Sequence, residues 1–320
     1  MKLEGIHHIT AITGDAPRNV DFYARLLGLR LVKKTVNQDD PTVYHLFYAD
    51  EKGSPGADLT FFEYPGSAPG RAGAGMVHRI VWRVASEVAL DFWANRLGRE
   101  GVAVEREAGW LRFADPEGLS LELRVVESSD EALIADHPEV PAEVALQGFH
   151  EVRTFTADPE QSRPFLEGTL GFAGGEDETF ESRGDRRGSF YAYDRSSRPG
   201  SQGAGTVHHV AWASPIDDHP AWRERVLEGG GRPTEIIDRF YFKSIYFREP
   251  SGVLFEIATI GPGFTSDEPL ETLGQALSLP PAYEHLRARL EPLLTPLPNP
   301  REGWIRAAGK VGTEPARSPR

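Results

Sequence analysis

The sequence predicts an α+β fold with largely antiparallel sheets, built from four copies of one module. A strand-like segment with a doubled histidine, Gly5–Thr10, recurs as Thr206–Ala211, and weaker copies begin at Met76 and Gly148. The four starts lie about 60–70 residues apart, which identifies an internal repeat. Each start is followed by a helical pattern and then by several strand-like segments, an order typical of α+β proteins.

Each module opens with a strand and continues with a helix. The opening segments are short, rich in Ile, Val and Thr, and followed by Gly, Pro or Asp, as β-strands usually are. In the first module, apolar side chains recur on one helical face from Val20 to Leu27, and Gly28 ends the pattern. Equivalent helices are predicted at Leu90–Leu97, Arg163–Leu170 and Ala221–Leu227.

The end of each module is predicted to be β-structure, and a charged segment separates two halves. The predicted closing strands include Thr42–Ala49, Leu59–Tyr64, Ile245–Arg248 and Val253–Thr259. The loop-like segment from Glu127 to Glu143 indicates a boundary near residue 145. We therefore expect one domain at residues 1–145, with modules one and two, and a second at residues 146–265, with modules three and four.

A tail at residues 266–320 follows the four modules. Helices are predicted at Leu270–Leu277 and Ala282–Leu294, interrupted by two prolines. The polar segment Gly303–Arg320 is expected to be mobile, as chain ends often are.

Composition excludes several classes of function. The net charge of −13 and the absence of a basic patch argue against nucleic acids and anionic membranes as partners. No apolar run is long enough for a spanning helix, and the start of the chain does not resemble a secretory signal. Cysteine is absent, so disulfides, thiolate metal sites and a cysteine nucleophile are excluded. Chemistry must come from His, carboxylates, Tyr, Arg or a bound metal.

Two hairpins fix the position of a carboxylate in two of the modules. Glu249–Gly252 and Asp115–Gly118 each place Pro early and Gly last, which fits a three-residue loop with a glycine bulge. This register places Glu256 opposite Tyr246. In the second module it places Glu122 opposite Arg112.

The two modules differ in the residues around that carboxylate. The fourth module combines Glu256 with His209, whereas the second module has Glu122 with Arg79 and Arg112. The first set can hold a divalent cation, whereas arginine neutralises the carboxylate of the second. A third ligand requires another histidine on an equivalent strand, and only the first module supplies one. Two imidazoles and one carboxylate on one face leave positions open for substrate and oxygen.

Strand geometry leaves the choice of histidines open. Neighbouring residues of a strand point to opposite faces, so only one histidine of each pair can reach the metal. The pattern alone does not choose between His7 with His208 and His8 with His209.

These motifs resemble the vicinal oxygen chelate superfamily, and within it the ring-cleaving hydroquinone dioxygenases. The resemblance is carried by Gly5–Thr13, Leu31–Thr35, Tyr44–Asp50 and Ser244–Thr259. It implies paired βαβββ modules that form open antiparallel barrels around Fe(II), with Mn(II) as a second choice. The implied metal ligands are His8, His209 and Glu256. Roles beside the metal are implied for Tyr246, Arg239, His7, His208 and Thr10, although strand alternation would turn His7 and His208 away from the ion.

The function that follows from the resemblance is an iron-dependent, extradiol-type dioxygenase that cleaves a hydroquinone or catechol with dioxygen. Tyr246 would donate a hydrogen bond to a substrate oxygen, and Arg239 would offset anionic charge. The expected partners are a small aromatic substrate and dioxygen, and the expected location is the cytoplasm. The sequence leaves open whether the chain forms a homo-oligomer, and it assigns no role to His45.

Two rival functions remain. A glyoxalase-like lyase or isomerase would use Zn(II) or Ni(II) with a second carboxylate from another module. Phe61 is expected at that ligand position, and Glu63, two residues further along the strand, could join the site after a small shift in register. A metal-free protein that binds an aromatic compound is the second rival, but it would have no use for the two histidines and the carboxylate.

Overall fold

The four predicted modules are present in the structure, a computed structural model that describes residues 1–302 and residue 304. Each module runs from a long strand through a helical segment to three further strands. The first module contains β1 (Ile6–Thr13), α1 (Ala16–Val20), β2 (Arg30–Asn37), β3 (Asp40–Ala49) and β4 (Asp58–Glu63). The second contains β5 (Met76–Val84), α2 (Glu87–Arg99), β6 (Glu105–Glu107), β7 (Trp110–Ala114) and β8 (Ser120–Val125).

The second half repeats this order. The third module contains β9 (Phe149–Thr156), β10 (Ala173–Gly174), β11 (Thr179–Arg183) and β12 (Gly188–Arg195). The fourth contains β13 (Val207–Ser214), α3 (His219–Glu228), β14 (Ile237–Asp238), β15 (Lys243–Arg248) and β16 (Leu254–Thr259). The predicted α+β class with four tandem modules is thus confirmed.

Within the described residues, the strands form two eight-stranded sheets, and each sheet takes one module from each half. The first sheet has the order β14-β15-β16-β13-β1-β4-β3-β2, and the second has the order β10-β11-β12-β9-β5-β8-β7-β6. The first and last strands of a module pair in parallel, whereas β1 pairs antiparallel with β13 and β5 with β9. The sheets are therefore mixed, and modules one and four lie side by side. The division of the chain near residue 145 stays a prediction.

The helical segments lie where they were predicted; those of the second and fourth modules are α-helices, whereas the other two contain π-helical turns. In the first module α1 continues into a π-helical turn at Asp21–Leu26, and in the third module a 3-10 turn at Pro159–Gln161 precedes a π-helical turn at Phe165–Thr169. In the second module α2 is capped by Ser86, whose side chain accepts a hydrogen bond from the Ala89 N–H. No helix in the described part of the chain is both long and apolar enough to cross a membrane.

The tail is less helical than predicted. At the predicted helix Leu270–Leu277, only a 3-10 turn at Leu270–Thr272 forms. The predicted helix Ala282–Leu294 is broken into α4 (Pro281–Glu284), α5 (Arg287–Leu290) and a 3-10 turn at Glu291–Leu293. The segment Gly303–Arg320, which is predicted to be mobile, lies outside the described residues except for Trp304.

The first sheet buries both of its faces, and the two faces differ. One face belongs to the large core, with side chains such as Ile9, Phe61 and Trp212. The opposite face carries a smaller cluster that includes Phe47 and Phe242, with Phe264 from the tail packed on it. Because side chains alternate along a strand, the residues between these core positions project toward the smaller cluster. The doubled histidines of β1 and β13 lie there.

Candidate metal centre

Three side chains from three adjacent strands meet on this face of the first sheet. His8 of β1 and His209 of β13 approach within 3.3 Å through their Nε2 atoms, and these atoms lie 3.2 and 3.0 Å from Glu256 Oε2 on β16. All three side chains are at least 95% buried. Ligands about 2.1 Å from an ion and at right angles lie about 3.0 Å apart, so this triangle fits one face of a six-coordinate cation.

The Glu256 carboxylate is suited to a cation. Its Oε1 accepts a hydrogen bond from Ser244, while its buried Oε2 receives no well-directed hydrogen bond. Burial raises the pKa of Glu256, but the neighbouring His8 and His209 outweigh this effect and hold the pKa well below its usual range. The side chain therefore stays ionised. A buried carboxylate oxygen without a directed donor needs a compensating positive charge, and a divalent ion between the two imidazoles would supply it.

β-bulges place a second histidine beside each ligand histidine. The pairing of β1 with β13 shifts register between Ile6 and His8 on one strand, and again next to His208 on the other. The extra residue of a bulge is not subject to strict alternation. His7 and His208 therefore stay next to the ligand rings, with Nδ1–Nδ1 distances of 2.9 Å to His8 and 2.8 Å to His209. The expectation that alternation turns His7 and His208 away is wrong for this reason.

These contacts determine the tautomers that a metal would require. To bind through Nε2, His8 must carry its proton on Nδ1 and donate it to Nδ1 of His7. His7 then carries its own proton on Nε2, where the Thr259 carbonyl lies 3.2 Å away and accepts it. Burial, reinforced by His8, lowers the pKa of His7 to about 3, so the ring is neutral and can act as this acceptor. Such an outer hydrogen bond fixes the orientation of a ligand imidazole.

On the same face, strand pairing identifies the residue of the first module that corresponds to Glu256, which is where a fourth ligand would lie. In the fourth module Ala211 pairs with Glu256, and in the first module Thr10 pairs with Thr60. Since Thr10 and Ala211 occupy the same place in the repeat, Thr60 corresponds to Glu256. The prediction that Phe61 takes this position is wrong.

Glu63 does not contact the site. Its Oε1 accepts hydrogen bonds from the Ala16 N–H at 3.1 Å and from Thr295 Oγ1 at 2.9 Å. Phe61, two residues before it, packs on Tyr23 in the large core, so both residues face away from the histidines. Glu63 is therefore not available to the metal centre.

Thr10 and His45 belong to a chain of hydrogen bonds beside the site. The hydroxyls of Thr10 and Thr60 lie 2.8 Å apart, and Thr60 Oγ1 is also 2.8 Å from His45 Nε2. The ring of His45 borders the cavity next to the three ligands and packs against Phe47 and Phe62. Sequence reasoning placed Thr10 near the metal but gave no function to His45. The alternation of β4 could have identified Thr60 once the register with β1 was known.

A cavity opens directly from His8, His209 and Glu256. Its aromatic walls include the rings of Phe47, Phe62 and Phe242, and polar side chains complete the lining. A pocket with aromatic walls and convergent polar groups is typical of sites for small organic ligands.

Tyr246 and Arg239 form the polar side of the cavity. The ring of Tyr246 packs edge-on against His209, with 5.8 Å between ring centroids. Arg239 Nε donates to the Tyr246 hydroxyl at 3.3 Å, and the guanidinium lies over the same ring. The hydroxyl thus accepts from Arg239 and keeps its own proton available for another acceptor. Burial, and secondarily the Glu256 charge, raises the pKa of Tyr246, so the phenol stays protonated.

Ser244 is a neighbour of the site that sequence reasoning missed. It lies two residues before Tyr246 on β15 and donates to Glu256 Oε1. Residues two apart on a strand share a face, so the predicted hairpin register already contained the signal. That register itself is confirmed, because Tyr246 pairs with Glu256 and Arg112 with Glu122.

The equivalent place in the second sheet holds ion pairs. Glu122 Oε2 accepts from Arg112 at 2.7 Å, and Arg79 lies 3.5 Å away. Arg124 binds the other oxygen of Glu122 and also lies 3.3 Å from Glu151. In the described part of the chain, only the first sheet contains three metal-binding side chains grouped closely enough for one ion.

Known proteins share this architecture. Glyoxalase I from Zea mays, at 18% identity over 80% of this chain and 92% of its own, superposes with a TM-score of 0.56, a likeness of fold alone. A crystal structure of a provisionally named dioxygenase from Bacillus subtilis has a TM-score of 0.86 and 40% identity, covering 92% of this chain and 98% of its own.

Curated relatives extend over nearly the whole chain. MhqA of Bacillus subtilis (strain 168), provisionally named a ring-cleaving dioxygenase, is 40% identical over 315 residues, which cover 93% of this chain and 100% of MhqA. Chlorohydroquinone/hydroquinone 1,2-dioxygenase of Sphingobium indicum is 34% identical over 308 residues, or 90% of this chain and 95% of that protein. The model of one family matches residues 5–123 and 148–257. The chain therefore belongs to the Glyoxalase/Bleomycin resistance protein/Dioxygenase superfamily.

Proposed function

We propose that this chain is an iron-dependent, extradiol-type dioxygenase that cleaves the ring of a hydroquinone or catechol. The observation that carries the proposal is a buried set of three ligands, His8, His209 and Glu256, that opens onto an aromatic-lined cavity. Thr60 stands where a fourth, carboxylate ligand would lie. Three protein ligands leave room at one ion for two further reactants, as a reaction between a ring and dioxygen requires. The names of the relatives support the same reaction class.

The residues fit an ion such as Fe(II), with Mn(II) as the second choice, because imidazole and carboxylate donors suit both. Bound Fe(II) would act as a Lewis acid and as a path for electrons between the ring and dioxygen. His7 and His208 hold the second nitrogen of each ligand imidazole and so keep both rings oriented. Ser244 holds the distal oxygen of Glu256. These contacts position the ligands before substrate arrives.

The cavity walls would bind and orient the substrate. Phe47, Phe62 and Phe242 provide flat apolar surfaces for a six-membered ring. Tyr246, whose hydroxyl oxygen already accepts from Arg239, would donate its own proton in a hydrogen bond to a substrate oxygen. In the overall reaction, the bond between a hydroxylated ring carbon and its neighbour breaks, and both atoms of dioxygen enter the product.

The lyase rival is disfavoured by one position. Its four-ligand site would need a carboxylate from the first module, and Thr60 occupies that place while Glu63 is engaged elsewhere. A metal-free binding protein would have no use for a buried, ionised carboxylate whose Oε2 lies 3.0 and 3.2 Å from two imidazole nitrogens. The cytoplasmic location and any assembly into a homo-oligomer stay part of the proposal.

The test is anaerobic reconstitution of the chain with Fe(II), followed by oxygen uptake on hydroquinones, catechols and the hemithioacetal of methylglyoxal and glutathione. We expect oxygen consumption coupled to ring-opened product with at least one dihydroxy ring. Turnover of the hemithioacetal without oxygen would contradict the proposal, and so would the absence of uptake with every ring. The matched control is the Glu256→Gln variant, which should consume no oxygen.

A further inference from the structure

An ion pair closes the polar side of the cavity. Among the described residues, Arg239 is the only lysine or arginine that lines this space. Its terminal nitrogens Nη1 and Nη2 lie 3.0 and 2.9 Å from the two oxygens of Asp39, in bidentate geometry. Its remaining nitrogen, Nε, donates to Tyr246. The only positively charged side chain that lines the described part of this cavity is thus neutralised by a carboxylate that also lines it.

Asp39 is held in this position from several sides. It lies in the turn between β2 and β3, where its N–H donates to Asn37 Oδ1 at 3.0 Å. The neighbouring Gln38 donates from Nε2 to the Arg239 carbonyl at 2.8 Å, and its own carbonyl accepts from Tyr283 of the tail at 2.7 Å. These hydrogen bonds join the turn of the first module to the segment that carries Arg239. The fold itself therefore holds the backbone of Asp39 close to Arg239.

The partners of this pair differ in exposure. The Arg239 side chain is 16% exposed and that of Asp39 is 72% exposed. The guanidinium therefore belongs to the cavity, while the carboxylate covers it from the solvent side. A carboxylate group on a bound ring would need to displace Asp39, or it would face the negative charge of Asp39 directly. An uncharged group would meet neither penalty, because the walls other than Arg239, Asp39 and the metal-binding Glu256 are aromatic or neutral.

We propose that Asp39 determines substrate charge: by neutralising Arg239, it makes the cavity select dihydroxy rings with uncharged side groups over rings with an anionic side group. The inference rests on the proposed function, since it concerns which ring enters that cavity. Asp39 is a positioning residue, because it acts through Arg239. A bidentate guanidinium released from Asp39 is well shaped to bind a carboxylate.

The test compares two ligands that differ in one charge, 2,5-dihydroxyphenylacetate and its methyl ester. Their dissociation constants are measured by calorimetry with the Fe(II)-loaded chain in the absence of oxygen, so that no turnover occurs. We expect the unsubstituted chain to bind the ester more tightly than the acid. In Asp39→Asn the ratio of acid affinity to ester affinity should rise about two- to fivefold, within the range expected for releasing a largely exposed ion pair. A general weakening of the site would change both affinities and leave their ratio unchanged.

Three further variants separate the proposed role from a structural one. Asp39→Glu, which keeps the charge, should keep the ratio of the unsubstituted chain. Asp39→Asn combined with Arg239→Gln should lose the gain in acid binding, because the freed guanidinium is gone. Asp185→Asn removes an exposed pair with Lys2 elsewhere in the chain and should change nothing.

Several outcomes would overturn the inference. These are an unchanged ratio in Asp39→Asn, an equal shift in Asp39→Glu, or no binding of either compound. Failure of the proposed function is a different result, because binding can follow these expectations while no ring is cleaved when oxygen is admitted. The ratio of binding constants therefore tests Asp39 independently of catalysis.

Discussion

Replacement of His7 tests the outer contacts of the metal centre. In His7→Phe, the Nδ1–H that His8 must carry when it binds a metal loses its acceptor at 2.9 Å. Leaving a buried donor unsatisfied costs about 1–3 kcal/mol, and the loss of such outer partners typically lowers metal affinity about 10- to 100-fold. We expect the affinity of His7→Phe for Fe(II) or Co(II) to fall within this range. His7→Asn, whose side-chain oxygen can accept the same proton, should lose less.

The assay is competition for the metal against a chelator, with the thermal stability of the metal-free variants measured in parallel. The matched control is His150→Phe, because His150 is the bulge residue at the same place in the third module, where Glu151 follows it. His150 Nδ1 has no hydrogen-bond partner among the residues that the structure describes. We expect His150→Phe to keep full metal affinity. Equal affinities for His7→Phe and the unsubstituted chain would refute the tautomer assignment.

Three other changes probe the surroundings of the centre. Ser244→Ala removes the hydroxyl that donates to Glu256 Oε1, and because the loss of an outer partner of a ligand typically lowers metal affinity about 10- to 100-fold, metal binding should weaken at least about tenfold in the same competition assay. Thr60→Glu adds a carboxylate at the place that corresponds to Glu256, so we expect tighter metal binding and at least about a tenfold loss of oxygen uptake; uptake that is unchanged would argue against an open position there. Glu122→Ala removes the buried carboxylate that pairs with the partly exposed Arg112 and Arg124 of the second sheet, and we expect about 1–3 kcal/mol less stability in urea unfolding with metal content unchanged.

The module order and the carboxylate register could be predicted because they depend on local patterns. The loop Glu249–Gly252 closes a hairpin by itself, with Gly252 at a φ of 106°, and this fixes the pairing of Glu256 with Tyr246. The recurring histidine strands likewise marked the start of every module. Both signals lie within a few residues of the feature that they predict.

The bulges and the position of Thr60 could not be predicted in the same way. They depend on how β1 pairs with β13 and β4, strands separated from it by up to about two hundred residues of chain. A single extra residue, such as His7, moves a side chain next to its neighbour instead of onto the opposite face. As long as the strand that pairs with β1 was unknown, strict alternation of side chains was the only available rule. It does not hold at the bulges that contain His7 and His208.

The tail shows that tertiary contacts override helical periodicity. Along Leu270–Leu277 the chain follows the outer edge of β2, where a bridge joins Lys34 to Leu277 and the Lys34 carbonyl accepts the Ser278 N–H at 2.9 Å. Gly274 adopts a φ of 73° against the Leu31 backbone, where a side chain would collide. An unpaired strand edge has free backbone donors and acceptors, and satisfying them outweighs a weak helical preference.

The central claim is that His8, His209 and Glu256 hold one metal ion. The most direct measurement is the metal content of the unsubstituted chain and of His8→Ala, His209→Ala and Glu256→Ala after anaerobic loading with Fe(II) and removal of free ion. Glu122→Gln, at the corresponding place in the second sheet, serves as the control. We predict one ion per chain in the unsubstituted protein and in the control, and less than one tenth of that in each ligand variant. Full metal content in any of the three would contradict the claim.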